Sequence, residues 1–127
     1  MGQKPQILVD TDIIIKAIRG NKQFQFFLSN NENLSISIIT YLELSSGLKT
    51  RQRLIDLNKQ IQVYTVYYLN ETISKIALQL IQKYTVSNHL FPQDALIAAT
   101  ALHFGVSLFT DNKKDFDFIK ELSLYNL

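Results

Sequence analysis

Short apolar segments alternate with helical patterns along almost the whole chain, and this alternation constrains the fold more than any other feature. Strands that alternate with helices form βαβ units with right-handed crossovers, which produce a parallel sheet covered on both faces. We therefore expect an α/β fold in which a central, mainly parallel sheet lies between helices. The strands are predicted at residues 6–9, 34–38, 61–66 and 106–110, with a closing edge strand at 122–127.

The starts and ends of the predicted helices carry residues with known positional preferences. Asn70 precedes one helix as a cap, while Pro92 opens another and Gly105 lies just past its end. The helix from Pro92 has almost no polar face, so we expect it to be deeply buried. The predicted helices span residues 12–20, 22–30, 40–48, 51–60, 70–84, 92–105 and 115–122.

The bulk composition predicts an ordinary globular protein of one domain, spanning residues 1–127. A chain of 127 residues is long enough for one real core and too short for two comfortable ones. The absence of cysteine excludes disulfides, zinc–thiolate sites and thiol nucleophiles, and it fits a reducing, cytoplasmic location. No signal-peptide pattern and no apolar stretch long enough for a membrane span is present, so we expect no membrane association.

Acidic residues follow the predicted strands or begin the predicted helices. Asp10 and Asp12 follow the first strand, and Asp111 follows the strand at 106–110. In a parallel α/β sheet the helix N-termini lie at the same edge as the strand C-termini, which is where such proteins bind ligands. We expect six acids to project toward this edge: Asp10, Asp12, Glu43, Asp94, Asp111 and Asp115.

Each of these acids also has a purely structural explanation. Thr40 and Glu43 have the spacing of a capping box, in which the glutamate bonds back to the helix start. Asp94 favours a helix N-terminus through the macrodipole, Asp12 can cap its helix, and Asp111 is a suitable turn residue. These explanations are adequate for single residues, but they leave unexplained why the acids gather at one edge.

The charge balance at this edge favours a metal site over six separate structural roles. Lys113 and Lys114 are the only cations that the sequence places nearby, and like charges at close range cannot all stay ionised unaided. A hard divalent cation resolves this conflict. Oxygen ligands suit Mg²⁺ or Mn²⁺, so we expect one or two such ions as cofactors.

Four short motifs, taken together, resemble those of a known family. They are D-T-D at 10–12, T-Y-L-E-L at 40–44, P-Q-D-A-L-I-A-A-T-A at 92–101 and F-T-D-N-K-K-D-F at 109–116. In this order they resemble the PIN domain, and within it the VapC-type toxin ribonucleases of bacterial toxin–antitoxin pairs. The resemblance runs from Ile7 to Phe116 and implies a PIN-like three-layer sandwich around a twisted sheet.

The resemblance also implies a function and a set of site residues. The function is metal-dependent endonucleolytic cleavage of RNA. The acids that match the family pattern are Asp10, Glu43 and Asp94, with a fourth from the loop at 111–115. Asp115 is the first choice for this fourth ligand, and Asp111 is the second. Phosphodiester hydrolysis needs an activated water and neutralised phosphate charge, which carboxylate-held metal ions supply.

Two positions depart from the family pattern, and two others match its supporting residues. Asp12 stands where many members carry a small polar residue, and Asn112 stands where many carry an acid. Thr11 and Thr110 match polar positions that support the site in relatives. The resemblance further implies an RNA substrate, a homodimer and a cognate antitoxin that fills the acidic crevice.

Two basic segments and several aromatic residues have less specific interpretations. Lys49, Arg51, Lys113 and Lys114 are candidates for phosphate contacts, although their positions alone favour an ordinary solvated surface. His103 is expected to be a packed or partly exposed residue of the buried helix. For Tyr64, Tyr67 and Tyr68, packing is favoured over stacking on unpaired bases.

Two other functions remain open at this point. A haloacid-dehalogenase-like phosphohydrolase would use Asp10 as a covalent nucleophile and D-N-K-K-D at 111–115 as a metal motif. However, Ile13 stands where that family usually has glycine, and Glu43 and Asp94 would have no role. The second alternative is a PIN-like domain without activity that only binds another protein.

Overall fold

A computed structural model describes Pro5 and residues 7–127, and its centre is a parallel sheet of four strands. The strand order is β3-β2-β1-β4, and every neighbouring pair is parallel. Gln6, which was predicted to begin the first strand, lies outside the described residues. The strands are β1 (Ile7–Val9), β2 (Leu34–Ser37), β3 (Thr65–Tyr67) and β4 (Ser107–Phe109).

In the part of the chain that the structure describes, six α-helices connect and cover these strands. They are α1 (Thr11–Ile18), α2 (Lys22–Asn30), α3 (Ile38–Ser45), α4 (Arg51–Ile61), α5 (Glu71–Asn88) and α6 (Pro92–Phe104). A single 3-10 turn at Lys113–Asp115 follows β4. None of the helices among the described residues is long and apolar enough to cross a membrane.

The core has two parts because side chains alternate between the two faces of each strand. Leu8 and Leu108 pack with α5 and α6 on one face, whereas Val9 and Phe109 pack with α1, α2 and α4 on the other. The sheet therefore has helices on both faces, and the predicted α/β sandwich is confirmed.

Helix α6 is buried as its sequence predicts. Pro92 is its first residue, and Gly105 ends it in the left-handed conformation, with φ of 67°. The helix has a continuous run of buried residues from Ile97 to Ala101. Asp94 is the third residue of this helix, so a rigid and buried element fixes its backbone.

The start of α3 differs from the prediction. The helix begins at Ile38 and is capped by Ser37, whose Oγ accepts a hydrogen bond from the Ile39 N–H at 3.0 Å. Thr40 is therefore inside the helix, and the predicted capping box of Thr40 and Glu43 is wrong. The strand was predicted to include Ile38, which is β-branched, but the serine cap ends it at Ser37.

Other boundaries were also predicted wrongly, among them the end of α5, which reaches Asn88 and not residue 84. Helix α4 continues to Ile61, so the third strand is confined to Thr65–Tyr67. The helix predicted at 115–122 is absent, and the chain there forms turns after the 3-10 turn. The predicted closing strand is reduced to one parallel bridge between Leu108 and Leu124.

Candidate active site at the carboxyl edge of the sheet

At the carboxyl edge of the sheet, five of the six predicted acids lie close enough for their charges to affect one another's pKa values. They are Asp10, Asp12, Glu43, Asp94 and Asp115. Burial raises the pKa of Asp94 to about 6, and the charges of Asp115, Glu43 and Asp12 contribute to this increase. The charges of Asp12 and Asp94 likewise help to raise the pKa of Asp10. These residues come from α1, α3, α6, the end of β1 and the 3-10 turn, so only the tertiary fold unites them.

Asp10 has the most constrained carboxylate of the group. It ends β1 and is only 6% exposed. One of its oxygens accepts a hydrogen bond from the Thr11 N–H at 2.8 Å, and the other accepts one from the Thr110 hydroxyl at 2.8 Å. Burial raises its pKa to about 7 despite these two bonds. The protein therefore holds this acid in one orientation and destabilises its charge.

Thr110 connects Asp10 to the loop that follows β4. While its hydroxyl donates to Asp10, the same oxygen accepts a hydrogen bond from the Asn112 N–H at 3.1 Å. The backbone N–H of Asp10 donates to the Phe109 carbonyl at 2.9 Å. These bonds fix the start of the 110–115 loop, which carries Asp115, beside the end of β1.

Asp12 does not cap α1, because Asp10 is the residue at that position. The Oδ2 atom of Asp12 instead accepts a hydrogen bond from the Asp111 N–H at 3.0 Å. Its Oδ1 atom is buried without a hydrogen-bond partner, and burial raises the pKa of this carboxyl group. The residue thus ties the 110–115 loop to α1.

The Asp111 side chain is paired with a cation that the sequence patterns did not identify. The Lys16 ammonium forms an ion pair with Asp111 Oδ2, and this contact raises the pKa of Lys16. The expectation that Lys113 and Lys114 are the only nearby cations is therefore wrong. Lys16 lies one helical turn after Asp12, and this spacing is the signal that could have identified it.

Glu43 is held by a pair of threonine hydroxyls rather than by a helix start. The Thr11 hydroxyl donates to Glu43 Oε1 at 2.7 Å, and the hydroxyls of Thr11 and Thr40 lie 2.9 Å apart. Thr40 is fully buried, whereas Glu43 is exposed. Thr11 therefore contacts two acids, since its backbone N–H binds Asp10 and its hydroxyl binds Glu43.

The carboxylate oxygens of these acids suit a hard divalent cation, although they do not point toward one common position in this structure. Among the described residues, no three Asp, Glu, His or Cys side chains are arranged to hold a metal ion. Burial is the main cause of the raised pKa values of Asp10 and Asp94, and the charges of neighbouring carboxylates add to it. The unpartnered oxygen of Asp12 is a further open acceptor. Carboxylate oxygens of this kind are the ligands that Mg²⁺ and Mn²⁺ prefer.

The other residues noted in the sequence lie at the surface or in packing contacts. The Lys113 ammonium donates to Asn126 Oδ1 at 2.8 Å, and Lys114 is exposed. Tyr67 stacks on Phe104 with ring centroids 3.8 Å apart, which favours the packing interpretation for this tyrosine. Arg51 is exposed at the start of α4, Lys49 is exposed in the loop before it, and His103 is exposed near the end of α6.

Comparisons with known proteins agree with this geometry. A family model of the PIN domain matches residues 7–122. The chain is 30% identical over 126 residues to a protein of Methanocaldococcus jannaschii named ribonuclease VapC1, covering 96% of this chain and 87% of that one. It is also 30% identical over 129 residues to a protein of Rickettsia bellii named ribonuclease VapC, covering 93% of each chain.

Solved structures give the same result for the fold. A chain in a toxin–antitoxin complex from Klebsiella pneumoniae matches with a TM-score of 0.78 and 27% identity, covering 95% of this chain and 99% of that one. A chain in VapBC-1 from nontypeable Haemophilus influenzae matches with a TM-score of 0.79 and 25% identity, covering 94% and 96%. These matches favour the PIN interpretation over the haloacid-dehalogenase-like alternative.

Proposed function

The chain belongs to the PIN domain family, and we propose on this basis that it is a metal-dependent ribonuclease and the toxin of a toxin–antitoxin pair. The observation that carries the proposal is the mutual influence of carboxylates from separate elements at the carboxyl edge. Two relatives that are 30% identical to this chain are named ribonucleases. Carboxyl groups whose pKa values are raised by burial and by one another are typical of a functional site, and the named relatives indicate that this site is a nuclease centre.

In this proposal Asp10, Asp94 and Asp115 hold one or two Mg²⁺ or Mn²⁺ ions. Asp115 is preferred to Asp111 as the ligand from the loop, because Asp115 contributes to the raised pKa of Asp94 whereas Asp111 is paired with Lys16. The bound cation supplies neutralisation of phosphate charge and activation of water. Its binding requires the carboxylates to approach one another, and it relieves the repulsion between them.

The remaining polar residues have roles that follow from their contacts. Glu43 is exposed and held by Thr11 at one oxygen, so it is suited to accept a hydrogen bond from the attacking water. Thr110 keeps Asp10 oriented. Lys113, Lys114, Lys49 and Arg51 are exposed cations that we propose bind RNA phosphates.

The partners in this proposal are a cognate antitoxin and a second copy of the chain. The matched structures from Klebsiella pneumoniae and Haemophilus influenzae are described as a toxin–antitoxin complex and as VapBC-1. An antitoxin segment with a basic side chain would complement the acidic edge. Light scattering at micromolar concentration tests the homodimer, and a monomer there would contradict it.

The test of the function is RNA cleavage by the purified protein with and without Mg²⁺. We expect cleavage that chelation abolishes and added Mg²⁺ restores, with no turnover of p-nitrophenyl phosphate. Asp94→Asn should be inactive, whereas the matched control Asp56→Asn, which changes an exposed acid on α4, should keep parental activity. Binding of RNA without cleavage would favour a module that lacks activity, and turnover of the phosphate ester would favour the phosphohydrolase.

A further inference from the structure

We infer that Thr40 is a positioning residue for Glu43 and that it acts through the hydroxyl of Thr11. The inference deepens the proposed function, since it names the residue that sets the orientation of a group at the same site. It depends on the contacts between Thr40, Thr11 and Glu43, which join α3 to α1 and back to α3. The contact recorded for the Thr40 side chain is to Thr11 and not to an acid.

The direction of the hydrogen bonds follows from the number of protons available. An ionised carboxylate is an acceptor only, and a hydroxyl carries a single proton. Because Thr11 lies 2.7 Å from Glu43 Oε1, its one proton is directed to the carboxylate. The 2.9 Å contact between Thr11 and Thr40 must then use the proton of Thr40. Thr40 therefore fixes the hydroxyl of Thr11 in the orientation that holds Glu43.

Glu43 needs such a restraint because its side chain is exposed. An exposed glutamate has several rotatable bonds and loses considerable freedom when it is held in one orientation. Thr11 and Thr40 can supply the restraint because they are buried, Thr11 at 7% exposure and Thr40 at 0%. Their helices fix the backbones, and water cannot compete for the hydroxyl of Thr40.

A comparison with a second buried threonine shows that the hydrogen bond of the Thr40 hydroxyl to another helix is not what burial alone requires. Thr100 is also 0% exposed, but its hydroxyl donates to the Leu96 carbonyl of its own helix at 2.8 Å. That bond is the common solution for a threonine inside a helix. Thr40 instead bonds to a residue 29 positions away that itself contacts two acids. Thr100 thus provides a matched control for the loss of a buried hydroxyl.

The experiment compares Thr40→Val, Thr40→Ser and Thr100→Val in two measurements on the full chain. The first is the rate of RNA cleavage in saturating Mg²⁺. The second is the ¹³C resonance of the Glu43 carboxyl group in metal-free protein, assigned by its loss in Glu43→Gln. We expect T40V to slow cleavage about 10–100-fold and to move the Glu43 resonance. T40S and T100V should keep both parental values.

A double variant tests whether Thr40 acts through Thr11. If it does, Thr11→Val combined with T40V should cleave no more slowly than Thr11→Val alone. A further fall in the double variant would overturn the inference, as would a Glu43 resonance that T40V leaves unmoved. Melting curves verify folding, and Thr40→Ala replaces T40V if that variant does not fold.

The two measurements also separate the inference from the proposed function. If the parent protein cleaves no RNA with Mg²⁺, the proposed function fails. A Glu43 resonance that moves in T40V and returns in T40S would still support the positioning role of Thr40 in that event. If the Glu43 resonance stays at its parental position in both T40V and T40S, the positioning role of Thr40 is rejected whatever the activity of the parent.

Discussion

Two strands of the sheet lead directly into helices, and the residues at these two junctions make an instructive pair. Asp10 connects β1 to α1 with φ of −74° and ψ of 156°, and Ser37 connects β2 to α3 with φ of −75° and ψ of 149°. Each side chain accepts a hydrogen bond from a backbone N–H in the first turn of its helix, at 2.8 Å and 3.0 Å. The backbone task is therefore the same at both junctions.

The difference between the two junctions lies in charge. Ser37 caps its helix as a neutral residue that is fully buried. Asp10 performs the same task with a carboxylate whose pKa is raised to about 7 by burial and by Asp12. Since serine and aspartate cap almost equally well, helix formation does not require a charge at Asp10. The charge must serve something other than the fold, and the cation that we propose at the carboxyl edge would account for it.

The largest effect is expected for Asp10→Asn. Asparagine keeps the cap, but it removes the negative charge that we propose binds metal. We predict loss of RNA cleavage by at least about 10³-fold, because a direct metal ligand costs more than the 10–100-fold typical of residues that support one. Cleavage assays with folding verified by circular dichroism test this. Full activity in this variant would contradict the metal site as a whole.

The same variant should change how the stability of the metal-free protein depends on pH. The pKa of Asp10 is about 7 in the folded protein and near 3.8 when unfolded. The folded state thus binds this proton more tightly, so the parent loses stability as pH rises from about 4 to 7. Asp10→Asn lacks this loss, and we expect it to melt above the parent at pH 8 in chelator. If Asp10→Asn melted below the parent at pH 8 in chelator, the claim that the Asp10 charge destabilises the metal-free protein would be wrong.

Metal binding should give the next largest effect, measured as stability. Mg²⁺ at about 100 times its dissociation constant stabilises the folded protein by about 2.7 kcal/mol. For a domain of this size that corresponds to an increase of roughly 10 °C in melting temperature. Asp94→Asn should lose most of the increment, and the distant Asp56→Asn should keep it. Equal melting with and without millimolar Mg²⁺ would count against bound metal.

Asp12→Asn should have a smaller effect than Asp10→Asn. Asparagine can still accept the hydrogen bond from the Asp111 N–H, so the 110–115 loop stays tied to α1. The buried Oδ1 atom loses its share of charge, and we predict a decrease in cleavage of about 10–100-fold. Single-turnover rates test this. A well-folded variant without activity would make Asp12 a direct metal ligand and require a revised site.

Local sequence signals were sufficient where a single residue determines a boundary. Pro92 and Gly105 delimit α6, and the position of Asp94 in its first turn follows directly. At α3 the local signal was ambiguous, since Ile38 and Ile39 are typical of strands and the cap at Ser37 was overlooked. The α/β class could be predicted because it depends on the order of elements and not on their ends.

Contacts between distant segments were beyond the reach of sequence patterns. Lys16 and Asp111 are 95 positions apart, and Thr11 and Glu43 are 32 apart. No local period predicts either pairing, although the one-turn spacing of Lys16 from Asp12 does place this cation near the acids. The edge at which the acids gather was predictable from the rule for parallel sheets, whereas the hydrogen bonds that orient each acid depend on the packing of α1, α3 and the 110–115 loop.

The smallest effect is expected at the neutral junction. Ser37→Ala removes the cap of α3 and leaves the partly buried Ile39 N–H without its partner, which should lower stability by about 1 kcal/mol. We expect the melting temperature to fall by roughly 4 °C and RNA cleavage to remain within about threefold of the parent. The contrasting variant is Asp10→Ser, which puts the same neutral cap at both junctions. Asp10→Ser should melt no lower than the parent in chelator and cleave no RNA, because the cap is kept while the proposed metal ligand is removed.

If Asp10→Ser instead lost stability and kept activity, Asp10 would be a structural cap like Ser37, and the distinction between the two junctions would fail.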